Sequence, residues 1–378
     1  MDMIAERLGI DPLEFRIKNL LKRGDLYTVG DTPVDCDLAE GLLKVADAIR
    51  WKEKSRNPNR AKGISCCMKD AGGTYKVAGA TVKMSSDGSV MLLTGTVEAG
   101  QGPRTALSQI VAEELALSLD QIGVAQLDTD VTPYDISTSA SSSTVVMGTA
   151  VQRAAQDAKK QLLQCAAKVL KQKPDSIALK DGQVVTKKGQ RLSYGKVIVD
   201  YFGSKAGEII GKGLYKDKRS AKAVLGSTTT FWEVGWGGVE VEVDPDTGVV
   251  NLIKYISACD AGKAINPEQC VGQDEGAVMF GIGHTFMEEM IYEDGQLLNG
   301  NLVDYRVPTF RDVPDTLDSI LIENGNGPGP FGSKGIGEGG LLPVASAVAN
   351  AVSRAVGVRI QELPLTPPKI WRALQAKI

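Results

Sequence analysis

Glycine constrains this chain more than any other residue. There are 42 in 378 residues, well above the usual share of about 7%, and they gather where helices are about to begin. The first cluster is Gly95-Thr96-Val97-Glu98-Ala99-Gly100-Gln101-Gly102-Pro103. A strand-like run leads in, and a helix beginning at Pro103 leads out. A helix N-terminus offers unpaired N–H groups and the positive end of a dipole, so this corner suits an anion or a carbonyl. Gly100 and Gly102 let a ligand approach the backbone, and the Gln101 amide both donates and accepts. An ordinary tight strand-to-helix turn would use the same residues.

The second cluster, Thr138-Ser139-Ala140-Ser141-Ser142-Ser143-Thr144, precedes a helix expected from Val145. Small hydroxyl residues cap helices well, yet every position but Ala140 carries a hydroxyl, more than one cap uses. A polar ligand rich in acceptors and a serine-rich surface loop are both consistent with it. The third runs from Gly327 to Gly340 and contains a literal G-x-G-x-x-G at Gly335, Gly337 and Gly340. A proline-glycine loop precedes it, not a strand, and no βαβ unit surrounds it, which excludes a dinucleotide fingerprint. What remains is one carboxylate, Glu338, held between glycines before an apolar helix. It either favours the helix dipole or acts as a base whose pKa a dry site raises.

Residues 1 to about 58 read as helices. Asp11-Pro12 is a cap followed by proline at the first helical position, and Leu13, Ile17, Leu20 and Leu21 recur at helical spacing. The segment finds no local core, so its apolar side is expected to meet a partner. Hairpins are expected over residues 80–97, turning at Asp87-Gly88, over 232–256, turning at 244–248, and at Asp294-Gly295. Helices are expected at Pro103–Leu117, Val145–Leu170, Pro267–Met290 and Leu341–Val356. Helices after runs of hairpins give an α+β fold. The expected division is 1–58, then 59–378 as two α+β subdomains meeting near residues 216 and 217.

Net charge is −3 and the pI about 5.5, which disfavours phosphate-backbone binding. Mean hydropathy is −0.08, with no apolar run of about 18 residues and no signal-peptide pattern at the start, so a cytoplasmic location is expected. The six cysteines form no C-x-x-C, which argues against zinc or iron–sulfur ligation by this chain. The single histidine, His284, excludes mechanisms that need two imidazoles, and its apolar helical setting marks it as structural.

Taken in order, the Gly95–Gly102 loop, Ala140-Ser141-Ser142-Ser143, Gly272-Gln273-Asp274-Glu275-Gly276 and Gly335-Ile336-Gly337-Glu338 resemble the molybdenum hydroxylases, the xanthine dehydrogenase/aldehyde oxidase family. The stretches 238–244, 260–267 and 304–309 add to the resemblance, which spans essentially the whole chain. It implies the second molybdenum-cofactor-binding domain of that fold. Gly100, Gln101 and Gly102 would contact a molybdopterin dinucleotide, of the cytosine form. Ala140, Ser141, Ser142, Ser143 and Thr144 would bind its pterin and phosphates, with Gln273, Gly335 and Gly337 completing the cofactor loops. Glu338 matches the catalytic glutamate beside molybdenum, and the metal would be held by the pterin dithiolene, not by protein ligands. Lys69, Asp70, Ala71 and Gly72, at a strand end, would line the substrate entrance.

Two departures stand out. Many bacterial members carry an arginine in the serine loop, where this chain has Ser141-Ser142-Ser143-Thr144. The family's first molybdenum domain, with its Gly-Gly-Phe-Gly-Gly-Lys and substrate loops, has no counterpart here. The resemblance therefore implies a split subunit or a fragment, active only with a second molybdopterin-domain subunit across an obligate interface. It also implies an iron–sulfur subunit with [2Fe–2S] clusters and an FAD subunit. The activity implied is oxidative hydroxylation of an N-heterocycle of purine or nicotinate type, or of an aldehyde, with water as oxygen source. A non-catalytic scaffold or a cofactor carrier of the same fold is the alternative.

Overall fold

The computed structural model describes residues 1–71, 76–204, 207–217 and 229–376; Gly72 lies outside them. Two four-stranded sheets organise the molecule. In the first, Arg60–Ala71 pairs antiparallel with Phe231–Val243, which pairs antiparallel with Val250–Asp260, which pairs parallel with Leu317–Ile322. In the second, the order is Ile122–Val124, Val90–Thr94, Val77–Ser85 and Glu208–Lys216. The α+β class holds, and the hairpin turns at 87–88, 244–248 and 294–295 are present.

The Phe231–Val243 strand is buried almost throughout because helices cover both of its faces. Side chains alternate across a strand. Trp232, Val234 and Trp236 therefore meet the Leu38–Ala48 helix through Leu38, Leu42 and Val45. Val239, Val241 and Val243 meet the Pro267–Phe286 and Val344–Val356 helices through Val278, Ile282, Val344 and Val348. The neighbouring strand Arg60–Ala71 lies so close to the Val344–Val356 helix that a Cβ on Gly63 would fall 1.9 Å from the Ala347 carbonyl oxygen. The second sheet has its own core. Val82, Met84 and Leu92 pack on Ile110 of the Pro103–Leu115 helix and on Val151, Ala154 and Leu162 of the 28-residue Ser143–Leu170 helix.

Several expectations change. The first helices are not bare: Leu13 is buried, and Ile17, Leu20 and Leu21 pack beside it on the core that holds Trp232 and Trp236. Buried Asp2 fastens the segment by an ion pair with Arg16 and by accepting from Arg354, each at 2.5 Å. A division near residue 216 misplaces Arg60–Ala71, which belongs to the sheet of residues 231–322. His284 is exposed at the last helical turn, 3.9 Å from Glu288, so it is no core residue. Three predicted helices are shorter than expected, ending at Leu115, ending at Phe286 and starting at Val344. Among the described residues no helix is long and apolar enough to cross a membrane.

Candidate cofactor and active site

Three helices begin at one cleft. Pro103–Leu115 starts behind Gly102, Ser143–Leu170 behind Ser142, and Pro267–Phe286 behind Asn266. The cleft has a volume of about 320 Å³, and Gln101, Ala140, Ser141, Ser142, Ser143, Thr144, Gln273, Gly335, Gly337 and Glu338 all line it. Four loops read separately along the chain thus meet in space. The Ser143–Leu170 helix has no side-chain cap, so its positive dipole end is open to the cleft. That donor set fits a polyanionic, acceptor-rich ligand, and the dispersed free thiols fit a metal that takes no cysteine from the protein.

The serine loop is strained. Ala140 and Ser141 take left-handed φ values of 50° and 54°, a conformation that costs non-glycine residues about 1–3 kcal/mol each and collects at functional sites. The loop is held against the third glycine cluster, where a Cβ on Gly335 would fall 1.5 Å from the Ser141 carbonyl oxygen. The Ser142 side chain is turned inward, donating to Ser139 O at 2.8 Å and accepting from Lys76 Nζ at 2.5 Å.

The other predicted cofactor residues have these places. Gln101 braces its own loop: its amide donates to Val97 O at 2.9 Å and to Thr138 Oγ1 at 3.1 Å, and accepts from Ala99 N at 2.8 Å. Gly102 lies against the Gln269 amide, with φ 74° at the helix cap, while Gly100 has open space at its Cα. Glu98 accepts from the backbone N–H groups of Gly100 and Gly102 at 3.1 and 3.0 Å, so this first corner does bind an anion, one from its own loop. Gln273 donates to Gly337 O at 3.3 Å and so ties its helix to the Glu338 loop.

Glu338 is half-exposed and sits in a polar network. Its Oε2 accepts from Ser141 Oγ at 2.8 Å and pairs with Lys69 Nζ at 2.9 Å. Lys69 also pairs with Glu233 at 2.8 Å. Glu233 is buried, and its other oxygen accepts from the backbone N–H groups of Glu338 and Gly339, both at 2.8 Å. Burial pushes the Glu338 carboxyl pKa up, but the hydrogen bonds from Lys69 and Ser141 and the charges of Lys69 and Lys76 outweigh it. The net pKa lies below the ordinary glutamate value, which corrects the expectation of a raised one. Desolvation pulls Lys69 down, and Glu233 and Glu338 more than restore it, so it stays charged.

Among the described residues assigned to the substrate entrance, Lys69 alone reaches the carboxylate. Asp70 is exposed, and its carbonyl accepts from Lys69 Nζ at 3.2 Å. Ala71 is fully buried with Val145 and Phe231 and lines no entrance. Sequence reasoning missed Glu233, which a hydrophobic strand conceals, and Asn266, Gln269 and Cys270, which also line the cleft. Asn266-Pro267 did offer a signal, since it repeats the cap-then-proline pattern of Asp11-Pro12. A wider hollow of about 1020 Å³ opens beyond Lys263 and Ile265, and none of the predicted site residues lines it.

Comparison with known proteins agrees with this geometry. The model of the molybdopterin cofactor-binding domain family matches residues 42–314. The xanthine dehydrogenase molybdenum-binding subunit of Escherichia coli O157:H7 is 31% identical over 98% of this chain and 50% of its own length. The 6-hydroxypseudooxynicotine dehydrogenase complex subunit gamma of Paenarthrobacter nicotinovorans is 32% identical over 99% of this chain and 49% of its own. Among solved structures, quinoline 2-oxidoreductase from Pseudomonas putida 86 superposes with a TM-score of 0.85 at 26% identity, covering 99% of this chain and 50% of that one. The chain thus spans about half the length of the relatives it matches. It belongs to the molybdopterin cofactor-binding domain family.

Proposed function

We propose that this chain forms one wall of the active site of a molybdenum hydroxylase, with Glu338 as the base. The observation that carries the reading is the convergence of the four loops on one cleft with Glu338 at its edge. The cofactor proposed is molybdopterin in its cytosine dinucleotide form, and the reaction is RH + H2O → ROH + 2H⁺ + 2e⁻. Bound there, the cofactor supplies the two-electron redox centre. The chain's own residues bind, orient and move protons. The helix start at Ser143 offers N–H groups to phosphate and pterin oxygens, and Gln273 keeps the Glu338 loop in register. Ser141 and Lys69 hold the Glu338 carboxylate ionised, ready to accept a proton at Oε2.

The two electrons leave through an iron–sulfur subunit, with an FAD subunit beyond it, because the cysteines here are dispersed and free. A second molybdopterin-domain subunit completes the cleft, in keeping with relatives twice as long. The location proposed is the cytoplasm. N-heterocycles rank first as substrates and aldehydes second. Two of the relatives are named for xanthine and quinoline, both N-heterocycles, which supports that order.

The test is a substrate screen of the native assembly with an artificial electron acceptor in ¹⁸O-labelled water. The expected product is a hydroxylated N-heterocycle whose new oxygen carries the label. Product oxygen drawn from O2, or no turnover of any N-heterocycle or aldehyde by an iron-containing assembly, contradicts the proposal.

A further inference from the structure

One buried carboxylate has no part in the site described so far. Asp274 follows Gln273 on the Pro267–Phe286 helix and is fully buried. Its Oδ2 accepts from Ser319 Oγ at 2.6 Å, and Ser319 is partly exposed on the edge strand Leu317–Ile322. Its Oδ1 has no hydrogen-bond partner among the described residues, nor have the buried hydroxyls of Tyr255 and Ser257. Ser257 pairs in register with Ser319 on one side and with Gly237 on the other. The Tyr255 hydroxyl lies where a Cβ on Gly237 would stand. The three unpaired groups therefore share one stretch of the sheet face.

That stretch adjoins the Glu338 network. Glu233, Gly235 and Gly237 alternate onto one face of their strand, and the glycines put no side chain between Glu233 and Tyr255. Gly339 and Gly340 pass between Glu233 and Asp274. A Cβ on the first would stand 3.5 Å from Glu233 Oε1, and one on the second 2.7 Å from Asp274 Oδ1. Buried polar atoms are ordinarily met by protein groups or ordered water, and a buried water typically takes about three polar partners. Asp274, Tyr255 and Ser257 supply such a set.

We propose that Asp274 carries away the proton that Glu338 accepts, taking it by way of Lys69, Glu233 and ordered water and releasing it at Ser319. This rests on the hydroxylase reading above. Every step is a proton transfer and no electron moves. Protonated Glu338 gives its proton to Lys69 as Lys69 gives one to Glu233, along contacts of 2.9 and 2.8 Å, so the ammonium is charged before and after. Glu233 passes the proton through water to Asp274 Oδ1. The Asp274 carboxyl then turns, and the Ser319 hydroxyl accepts the proton as it loses its own to solvent. Burial and the charge of Glu233 raise the Asp274 pKa, which suits a group that holds a proton in transit. Ser319 does not line the cleft, so the route leads away from cofactor and substrate.

The experiment mixes the native assembly, Asp274→Asn and Ser319→Ala rapidly with the N-heterocycle turned over fastest in the screen above. It reads cofactor reduction and, with a pH-indicator dye, proton release. Asparagine keeps the size of the side chain and the hydrogen bond from Ser319 but cannot take up the proton. The expected result for Asp274→Asn is native molybdenum content, a native rate of first reduction, and proton release and steady turnover slowed at least tenfold. Added imidazole, a diffusible proton carrier, should restore both. Ser319→Ala should show the same pattern more weakly, and it decides the matter if Asp274→Asn does not fold. A crystal structure of the native assembly should show ordered water bonded to Asp274 Oδ1 and the Tyr255 hydroxyl. Native proton release in the deciding variant would mean that half-exposed Glu338 loses its proton directly to solvent. That result overturns the route and leaves the hydroxylase reading intact. A slowed first reduction that imidazole does not restore, or no water at Asp274, also overturns the route. A native assembly whose cofactor the substrate never reduces defeats the reading and the route together.

Discussion

Replacing Glu338 by glutamine is expected to lower turnover of the native assembly by at least a hundredfold while its molybdenum content stays unchanged. A general base contributes on the order of a hundred- to ten-thousandfold. The amide keeps the size of the side chain and the hydrogen bond from Ser141, so the cofactor loops should keep their places. It cannot accept the proton, and it gives up the ion pair with Lys69. Near-normal turnover at full metal occupancy removes Glu338 from the role.

The same network fixes the pH behaviour. The folded pKa of Glu338 is depressed, so the stabilisation it contributes is present above the unfolded glutamate value of about 4.3 and fades as pH falls through the lower folded value. Replacing Lys69 by methionine removes the principal charge that holds this pKa down, so the acid limb of the pH–rate profile moves to higher pH. An acid limb that stays in place contradicts the role given to Lys69.

Replacing Lys334 by methionine is expected to destabilise the chain by about 3–5 kcal/mol, the usual cost of removing one partner from a buried ion pair. Its side chain is fully buried, and its ammonium lies 2.8 Å from Asp35 and 2.7 Å from Asp260. Desolvation alone would lower the lysine pKa, but the two carboxylates outweigh it, so the group remains charged. Asp35, Cys36 and Asp260 are close enough together to ligate a cation, yet the lysine ammonium already pairs with both carboxylates. Without it they face each other in the interior, and the loop bearing Gly335 and Glu338 loses its anchor to the first sheet. Urea unfolding measures the effect. A loss below about 1 kcal/mol would show that the triad is dispensable.

Features set by neighbours in sequence were legible. The Asp87-Gly88 and Asp294-Gly295 turns and the proline-led helix starts need only a few adjacent residues to specify them, and they fall where expected. The cleft was legible as four separate loops in a recognisable order. What joins those loops was not. Arg60–Ala71 pairs with a strand about 170 residues away, and nothing local announces that register. Glu233 reads as one of three glutamates in a largely apolar strand until the fold sets its carboxylate under the Glu338 backbone. The direction of the Glu338 pKa followed the same logic, since Lys69 reaches it only through tertiary structure. The three short strands between Ile177 and Ser193 went unforeseen because runs of three or four residues carry almost no periodic signal.

The central claim is that this chain helps to hold a molybdenum cofactor at the cleft where the helices at Pro103, Ser143 and Pro267 begin. The most direct measurement is molybdenum by elemental analysis, and pterin by its fluorescence after oxidative release, in the intact native assembly. The account predicts one molybdenum and one pterin for each copy of this chain. An intact, folded assembly that contains neither would contradict it.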